Sequence, residues 1–296
     1  MKEITIISGK GGTGKSTVVT SFAALAGEYL LVDCDVDAAN LGVVFQGKDI
    51  DTQPYFGVNK PSFDPSLCEG CGECEEACRF DAIQMVDDQP LIDIMSCEGC
   101  AACAVLCPTG ALTMVPNKTG EIKHTVSGDK YLVQANLVPG EGVSGKLVTM
   151  VRQEAKKVAE QRKSPGILSD GSPGVGCAVI ATLTGTNFAL VVTEPTQTGL
   201  HDLKRVVDLC NHFHIPHAVT VNKWDISPDM TSEIENYCKT QDIPFLAKIP
   251  FDPVVGEALA RRQAVVDHAR TSPASEAIIH LWRQVSELVE SSLDVL

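Results

Sequence analysis

Positive charge is scarce in this chain. Its 24 lysines and arginines face 38 aspartates and glutamates, giving a net charge of −14 and an isoelectric point of about 4.9. A surface of that sign repels phosphate backbones and anionic lipids, which argues against nucleic acid and against stable membrane association. Long apolar runs are also missing: no stretch offers the ~18 consecutive apolar residues that a membrane-crossing helix needs. Nor does a secretory leader precede the first apolar segment, so the expected compartment is the cytoplasm. Disulfides are not expected there, and the twelve cysteines read as metal ligands first. Apolar residues are plentiful, at 44 % of 296 residues with a mean hydropathy of +0.06. That is ample for one large α/β domain or two smaller ones.

The chain is organised around Ile4 to Thr17, ITIISGKGGTGKST. A short apolar run ends in a loop with four glycines, and Gly9, Gly14, Lys15 and Ser16 fill the fixed places of the phosphate-loop pattern GxxxxGK[ST]. Glycines let the backbone N–H groups from Gly11, Gly12 and Thr13 to Thr17 converge on phosphate oxygens, and the following helix turns its positive end toward them. Lys15 can reach the β- and γ-phosphates as a point charge, and Ser16 can ligate Mg²⁺. A glycine-rich turn after an edge strand is the plainer reading, against which the strand–loop–helix context stands. Helical spacing of Val18, Val19, Phe22, Leu25 and Ala26 predicts a helix from Ser16 to Tyr29. Leu30 to Val32 reads as a buried parallel strand running into Asp33-Cys34-Asp35-Val36-Asp37 and then Asn40-Leu41. Carboxylates just past the carboxyl end of a strand beside a phosphate loop are placed to hold metal-bound water. A solvated acidic turn is the alternative.

Composition changes abruptly at Pro61. Residues 61–116 hold eight of the twelve cysteines, with ten acidic residues and a single basic one, Arg79. The segment is an internal repeat, because CEGCGECEEACRFDAIQM and CEGCAACAVLCPTGALTM align without a gap. The α/β pattern resumes after Asn117, so 61–116 reads as an insert within a discontinuous domain made of 1–60 and 117–296. Strands are expected at Tyr131–Val138, Gly166–Ser169 (ending at Asp170), Phe188–Thr193, Ala218–Val221 and Phe245–Ile249. Helices are expected at Ser144–Arg162, with Ser144 as the N-cap, and at Gly199–Phe213, Met230–Thr240 and Pro273–Leu293. Strands alternating with helices mean a doubly wound, mostly parallel sheet.

The loop Lys10-Gly11-Gly12-Thr13-Gly14-Lys15-Ser16 resembles the deviant phosphate loop KGGxGKS of the MinD/ParA/nitrogenase-iron-protein superfamily of ATPases. The resemblance covers the non-insert residues in motif order. It implies ATP or ADP with Mg²⁺ as ligands and a nucleotide-sandwich homodimer, in which Lys10 reaches the partner's ATP and stabilises transition-state charge. Asp33, Asp35 and Asp37 fall in the switch I stretch, where Asp35 is implied to position Mg²⁺-bound or attacking water. Asp170, in LSDGSPG, is implied to be the switch II aspartate, holding Mg²⁺ through water. Asn222 takes the place of the adenine-reading asparagine, and Pro250-Phe251-Asp252 that of the turn beside the base.

The cysteine runs Cys68-x2-Cys71-x2-Cys74-x3-Cys78 and Cys97-x2-Cys100-x2-Cys103-x3-Cys107-Pro108 match the bacterial two-cluster ferredoxin pattern. By that pattern one [4Fe–4S] cluster takes Cys68, Cys71, Cys74 and Cys107, and the other takes Cys97, Cys100, Cys103 and Cys78. Arg79 departs from the pattern, standing where a proline is usual. Zinc is the structural alternative. Of the other cysteines, Cys34, Cys210 and Cys238 read as buried thiols. Cys177, seven residues past Asp170, is either a thiol that meets a cluster or partner, as its offset in the nitrogenase iron protein implies, or a small residue in a glycine-rich turn.

Together these resemblances imply an α/β phosphate-loop ATPase with an inserted two-cluster ferredoxin domain. ATP-driven switch movement would gate electron transfer to, or activation of, an unidentified redox or metalloprotein partner. An iron–sulfur scaffold or carrier is a second possibility, disfavoured by full cysteine ligation. A MinD-like positioning ATPase is a third. Against it, the stripe of Ile278, Ile279, Leu281, Trp282, Val285, Leu288 and Val289 faces a glutamate-bearing rather than basic side and fits a core-facing helix.

Overall fold

A computed structural model describes residues 2–36, 39–139, 142 and 145–293. Asp37 and Ser144, read above as a switch carboxylate and a helix cap, lie outside the described residues. The chain opens with β1 (Lys2–Ser8), α1 (Lys15–Leu25), β2 (Leu30–Asp33), α2 (Leu41–Phe45) and β3 (Lys48–Phe56). The cysteine-rich part follows as β4 (Lys60–Phe63), α3 (Glu73–Glu76), β5 (Ile83–Val86), β6 (Gln89–Ile92), α4 (Ala102–Leu106) and β7 (Leu112–Val115). Next come β8 (Lys118–Ser127), β9 (Lys130–Leu137), α5 (Gly145–Arg162), β10 (Gly166–Pro173), α6 (Cys177–Leu183) and β11 (Phe188–Thr193). The chain ends with α7 (Gln197–His212), β12 (His217–Val221), α8 (Pro228–Thr240), α9 (Val254–Ala260), α10 (Val265–His268) and α11 (Pro273–Leu293).

Two compact units result. One comprises Met1–Thr52, Ile122–Asn136 and Val143–Leu296, and the other Gln53–Glu121 with Leu137–Gly142. In the main sheet the strand order is β12-β11-β1-β10-β2-β9-β8-β3, and β12 through β9 are joined by parallel pairs. The phosphate-loop strand β1 is therefore central, between β11 and β10. Its residues Ile4, Ile6 and Ile7 are fully buried, as expected of a strand covered on both faces. Ile4 and Ile6 belong to the core beneath α1 and α11, and Ile7 to the core beneath α6, α7 and α8.

Helix α11 spends its apolar stripe on that first core. Ile278, Leu281, Val285 and Val289 are buried, Ile279, Trp282 and Leu288 pack against them, and the Trp282 ring sits 4.9 Å from Phe22. Leu281→Ala should cost about 2–5 kcal/mol in chemical denaturation. Exposed Glu276→Ala on the same helix should stay within about 0.5 kcal/mol. No helix among the described residues is long and apolar enough to cross a membrane.

The expected strand Phe245–Ile249 is not formed. Only two isolated parallel bridges join this segment to β12, Val219 with Phe245 and Asn222 with Ile249. Thr220 Oγ1 donates to the Ala247 carbonyl 2.5 Å away, and the Ala247 N–H goes to Gln284 Oε1. The backbone bonds to β12 slip by one residue, from Leu246 N–H on Val219 to Ile249 N–H on Val221, so an extra residue in this segment interrupts the ladder while side chains satisfy Ala247.

The second unit folds as its repeat demands. Strand β4 pairs antiparallel with β7, and β5 with β6, so each half of the repeat lends one strand to each ribbon. Asp64 accepts from the N–H of Ser66, and the repeat-equivalent Asp93 accepts from the N–H of Met95. Gly72 at φ 76° caps α3, and its equivalent Ala101 holds φ 66° to cap α4. A non-glycine residue in that left-handed conformation costs roughly 1–2 kcal/mol, which shows how firmly the repeated backbone is imposed.

Candidate functional site

The loop after β1 sits at the carboxyl edge of the sheet, where ligands bind in doubly wound folds. Gly14 caps α1 at φ 92° and offers no side chain to the first-turn N–H groups. A Cβ here would collide with the Asn222 amide, so glycine is required both by conformation and by space. Gly11 and Gly12 are exposed, Ser16 and Thr17 are half-buried, and Thr13 is buried with its Oγ1 unpaired. A nearby cavity is lined by Ser16, Thr17, Thr20, Asn40, Val255 and Leu259.

Lys15 is buried and surrounded by carboxylates. It pairs with Asp170 within β10, which runs three residues further than the sequence pattern suggests, and its Nζ lies 3.5 Å from Asp35 Oδ2 beyond β2. Burial by itself lowers the Lys15 pKa. Asp170, by charge and hydrogen bond, and then Asp35 and Asp33 outweigh it and hold the ammonium above the ordinary lysine value. Asp33 is fully buried. Desolvation and then the neighbouring Asp170 carboxylate push it well above the usual carboxylate range, against Lys15 and the N–H groups of Leu41 and Asp35. Those two N–H groups reach Asp33 at 3.1 and 3.0 Å, so Asp33 ties down the stretch after β2 while Asp35 faces the lysine. Asp170 Oδ2 is buried without a partner.

An unpartnered Asp170 oxygen, an unpartnered Thr13 hydroxyl and an uncapped helix start fit a Mg²⁺-phosphate group. Asn222 follows β12. Its Nδ2 donates to the Thr13 carbonyl at 2.8 Å, so it touches the loop backbone. Pro250 lies between Ile249, bridged to Asn222, and Phe251, whose N–H donates to Asp225.

Lys10 points to a residue the sequence reading passed over. Its Nζ lies 2.6 Å from Glu194 Oε1, just beyond β11, and Glu194 Oε2 is 3.6 Å from Lys223 Nζ. The available signal was position: Glu194 follows the apolar run FALVVT, and the carboxyl end of a strand beside the phosphate-loop strand is where site residues gather.

In the second unit, Cys74 and Cys103 are buried, Cys68, Cys78, Cys97 and Cys107 are half-buried, and Cys71 and Cys100 are exposed. Cys68, Cys71, Cys74 and Cys107 wall one cavity with Phe63, Met85, Pro90 and Leu112. Cys97 and Cys100 are close enough to Cys103 to influence its thiol electrostatically. Among the described residues, no group of three or more His, Cys, Asp or Glu is arranged to hold a metal ion. Backbone N–H groups of Ala82 and Gly99 donate to the sulfurs of Cys78 and Cys97 at 3.3 and 3.4 Å. Slight burial raises the Cys107 thiol. The Thr109 hydroxyl and the N–H groups of Leu112, Thr109 and Ala111 outweigh that and hold it below its ordinary value.

Buried Lys60 donates to the carbonyls of Ile94 (3.2 Å) and Cys97, fixing the turn that opens the second run. Outside this unit, Cys34 is fully buried. Desolvation pushes the Cys210 and Cys238 thiols up to about 12, the values of inert core residues. Cys177 is exposed at the start of α6.

Comparison with known proteins agrees with the sheet order and the loop. The CobQ/CobB/MinD/ParA nucleotide binding domain matches residues 4–265. An uncharacterized protein of Methanocaldococcus jannaschii is 35% identical over 97% of both chains. The septum site-determining protein MinD of Pyrococcus horikoshii, solved with Mg-ADP, superimposes with a TM-score of 0.60 at 21% identity over 98% of both chains. MinD from the MinC:MinD complex of Aquifex aeolicus gives 0.57 at 18% identity, covering 97% of this chain and 96% of that one. These two structures speak for the fold alone. With its phosphate loop at the carboxyl edge of a mostly parallel sheet and a domain match spanning most of its length, the chain belongs to the CobQ/CobB/MinD/ParA family of nucleotide-binding proteins.

Proposed function

We propose that this protein is an ATPase carrying two [4Fe–4S] clusters, and that its nucleotide state controls electron transfer to, or activation of, a redox or metalloprotein partner. The observation that carries the reading is the cavity walled by Cys68, Cys71, Cys74 and Cys107. It gathers three thiols of one run with the last thiol of the other, the exchange of ligands that two-cluster ferredoxin runs make. Four soft thiolates from two ferredoxin-type runs suit a cubane better than a tetrahedral zinc ion, and in the second set backbone N–H groups donate to the sulfurs of Cys78 and Cys97. The second cluster would take Cys97, Cys100, Cys103 and Cys78.

In the nucleotide site, Lys15 would exchange Asp170 for the β- and γ-phosphate oxygens, and Ser16 would ligate Mg²⁺. Asp170 and Asp35, freed from the lysine, would hold its water ligands. Water attacks the γ-phosphorus, the bond to the bridging oxygen breaks, and ADP and phosphate leave. Lys10 of a second copy would neutralise the charge that develops on the leaving oxygen. The cysteine-rich segment follows the Asp33–Asn40 stretch closely in the chain, which supports coupling between the phosphate sensor and the clusters.

Anaerobically reconstituted protein should show cluster midpoint potentials, read by EPR-monitored titration, that differ between ADP and a non-hydrolysable ATP analogue. Identical potentials and identical partner affinity in the two nucleotide states would exclude the coupling.

A further inference from the structure

Lys10 is held by three acceptors of its own chain. An ammonium has three donors. Those of Lys10 face Glu194 Oε1 at 2.6 Å, Thr198 Oγ1 at 3.2 Å and Thr196 Oγ1 at 3.4 Å. Glu194 and Thr196 lie on the short segment that joins β11 to α7, and Thr198 is in the first turn of α7. That segment is fixed, because the Thr196 hydroxyl caps α7 by accepting from the N–H of Gly199 at 2.9 Å. Thr196 and Thr198 also bond each other at 3.1 Å. Glu194, for its part, does not depend on Lys10 alone. Its second oxygen lies 3.6 Å from Lys223, whose ammonium is also 3.5 Å from the Gly12 carbonyl. If Lys10 swings away, Lys223 remains beside the carboxylate, so release does not leave an unpaired charge at the mouth of the loop. That lowers the cost of the second arrangement and makes the contact a two-position device.

We propose that Glu194 is a positioning residue that retains Lys10 on its own subunit, and so sets the protein concentration at which ATP drives two copies together. The inference rests on the reading above, in which Lys10 serves a second copy. The nucleotide-loaded partner must offer Lys10 more than Glu194 and the two threonines do, and weakening the retention favours the pair by the same increment.

The test is sedimentation velocity over a dilution series with Mg²⁺ and a non-hydrolysable ATP analogue. It is run on the parent, Glu194→Gln, Lys10→Ala and the double variant, each checked for a native circular dichroism spectrum. The partly buried ion pair should be worth a factor of about 1.5 to 5 in the dimerisation midpoint. Glu194→Gln should therefore pair at a concentration lower by that factor, and in the Lys10→Ala background the same substitution should shift nothing. An unchanged midpoint in Glu194→Gln, with a parent that does dimerise, overturns the retention role and leaves the dimer reading standing. A shift that persists without Lys10 also overturns it, because Glu194 would then act through general charge. A parent that stays monomeric with the analogue at every concentration removes both.

Discussion

Lys15→Ala should lose ATP hydrolysis by at least about 100-fold and should no longer be stabilised against unfolding by Mg²⁺–ATP. Lys15 is the cation set among three carboxylates: it is buried against Asp170, faces Asp35, and lies near enough to Asp33 to affect its titration. Taking away the cation therefore does two things. It removes the charge that meets the β- and γ-phosphates, and it leaves buried carboxylates facing one another. Breaking a buried pair from one side costs about 3–5 kcal/mol, less whatever protonation relieves.

The pH dependence follows from Asp33, whose folded-state value already lies well above the usual carboxylate range with Lys15 present. Without the lysine it rises further. A carboxyl group whose folded pKa exceeds its unfolded one costs stability as pH climbs past the unfolded value. The deficit of the variant relative to the parent should accordingly grow as pH rises above the ordinary carboxylate range, as followed by chemical denaturation at each pH. Lys15→Arg separates the two effects, because it retains a cation among the carboxylates while misplacing it for the phosphates. Parent-like turnover in Lys15→Ala would remove this loop from the catalytic machinery.

Replacing two of the eight cysteines should give opposite results depending on which two are chosen. Cys71→Ala/Cys107→Ala should retain about four iron atoms per chain after anaerobic reconstitution, because in the proposed ligation both thiols serve one cluster, whereas Cys100→Ala/Cys107→Ala should retain almost none. The expectation depends on the cavity that Cys107 shares with Cys68, Cys71 and Cys74. If each run instead held its own metal, Cys71→Ala/Cys107→Ala would lose both sites and Cys100→Ala/Cys107→Ala only one. Iron analysis with EPR of the reduced protein distinguishes the two patterns, and metal analysis for zinc decides the remaining alternative.

Beyond the loop, the long core elements were legible because each bears its own local signal. The run FALVVT is strand β11 residue for residue, and the stripe of α11 lies on the core side. The edge of the main sheet had no such signal. Strand β3, KDIDTQPYF, is exposed at every position but Tyr55, includes a proline, and shows no apolar alternation. It exists because β8 offers it a pairing edge, and its charges are what keep an exposed edge from pairing with other chains. Strand β8 buries Thr119, His124 and Thr125 where a pattern search looks for apolar residues. In the other direction, Phe245–Ile249 has a strand-like sequence, but an extra residue between Leu246 and Ile249 interrupts its bonds to β12 and leaves two bridges, while Thr220 and Gln284 satisfy Ala247.

The same division runs through the site. Motifs of fixed spacing specify backbone conformation over a few residues. From the sequence alone one could therefore place the phosphate loop, its two lysines, the carboxylates after β2 and on β10, and the repeat in the cysteine-rich segment. What sequence could not determine is which partner each charge takes when several are within reach. Lys15 rests on Asp170, Asn222 holds the carbonyl of Thr13, and Lys10 is held by Glu194. These contacts join residues more than 150 positions apart. They arise only because β11, β1 and β10 lie side by side with their carboxyl ends together, and that juxtaposition is a property of the folded sheet.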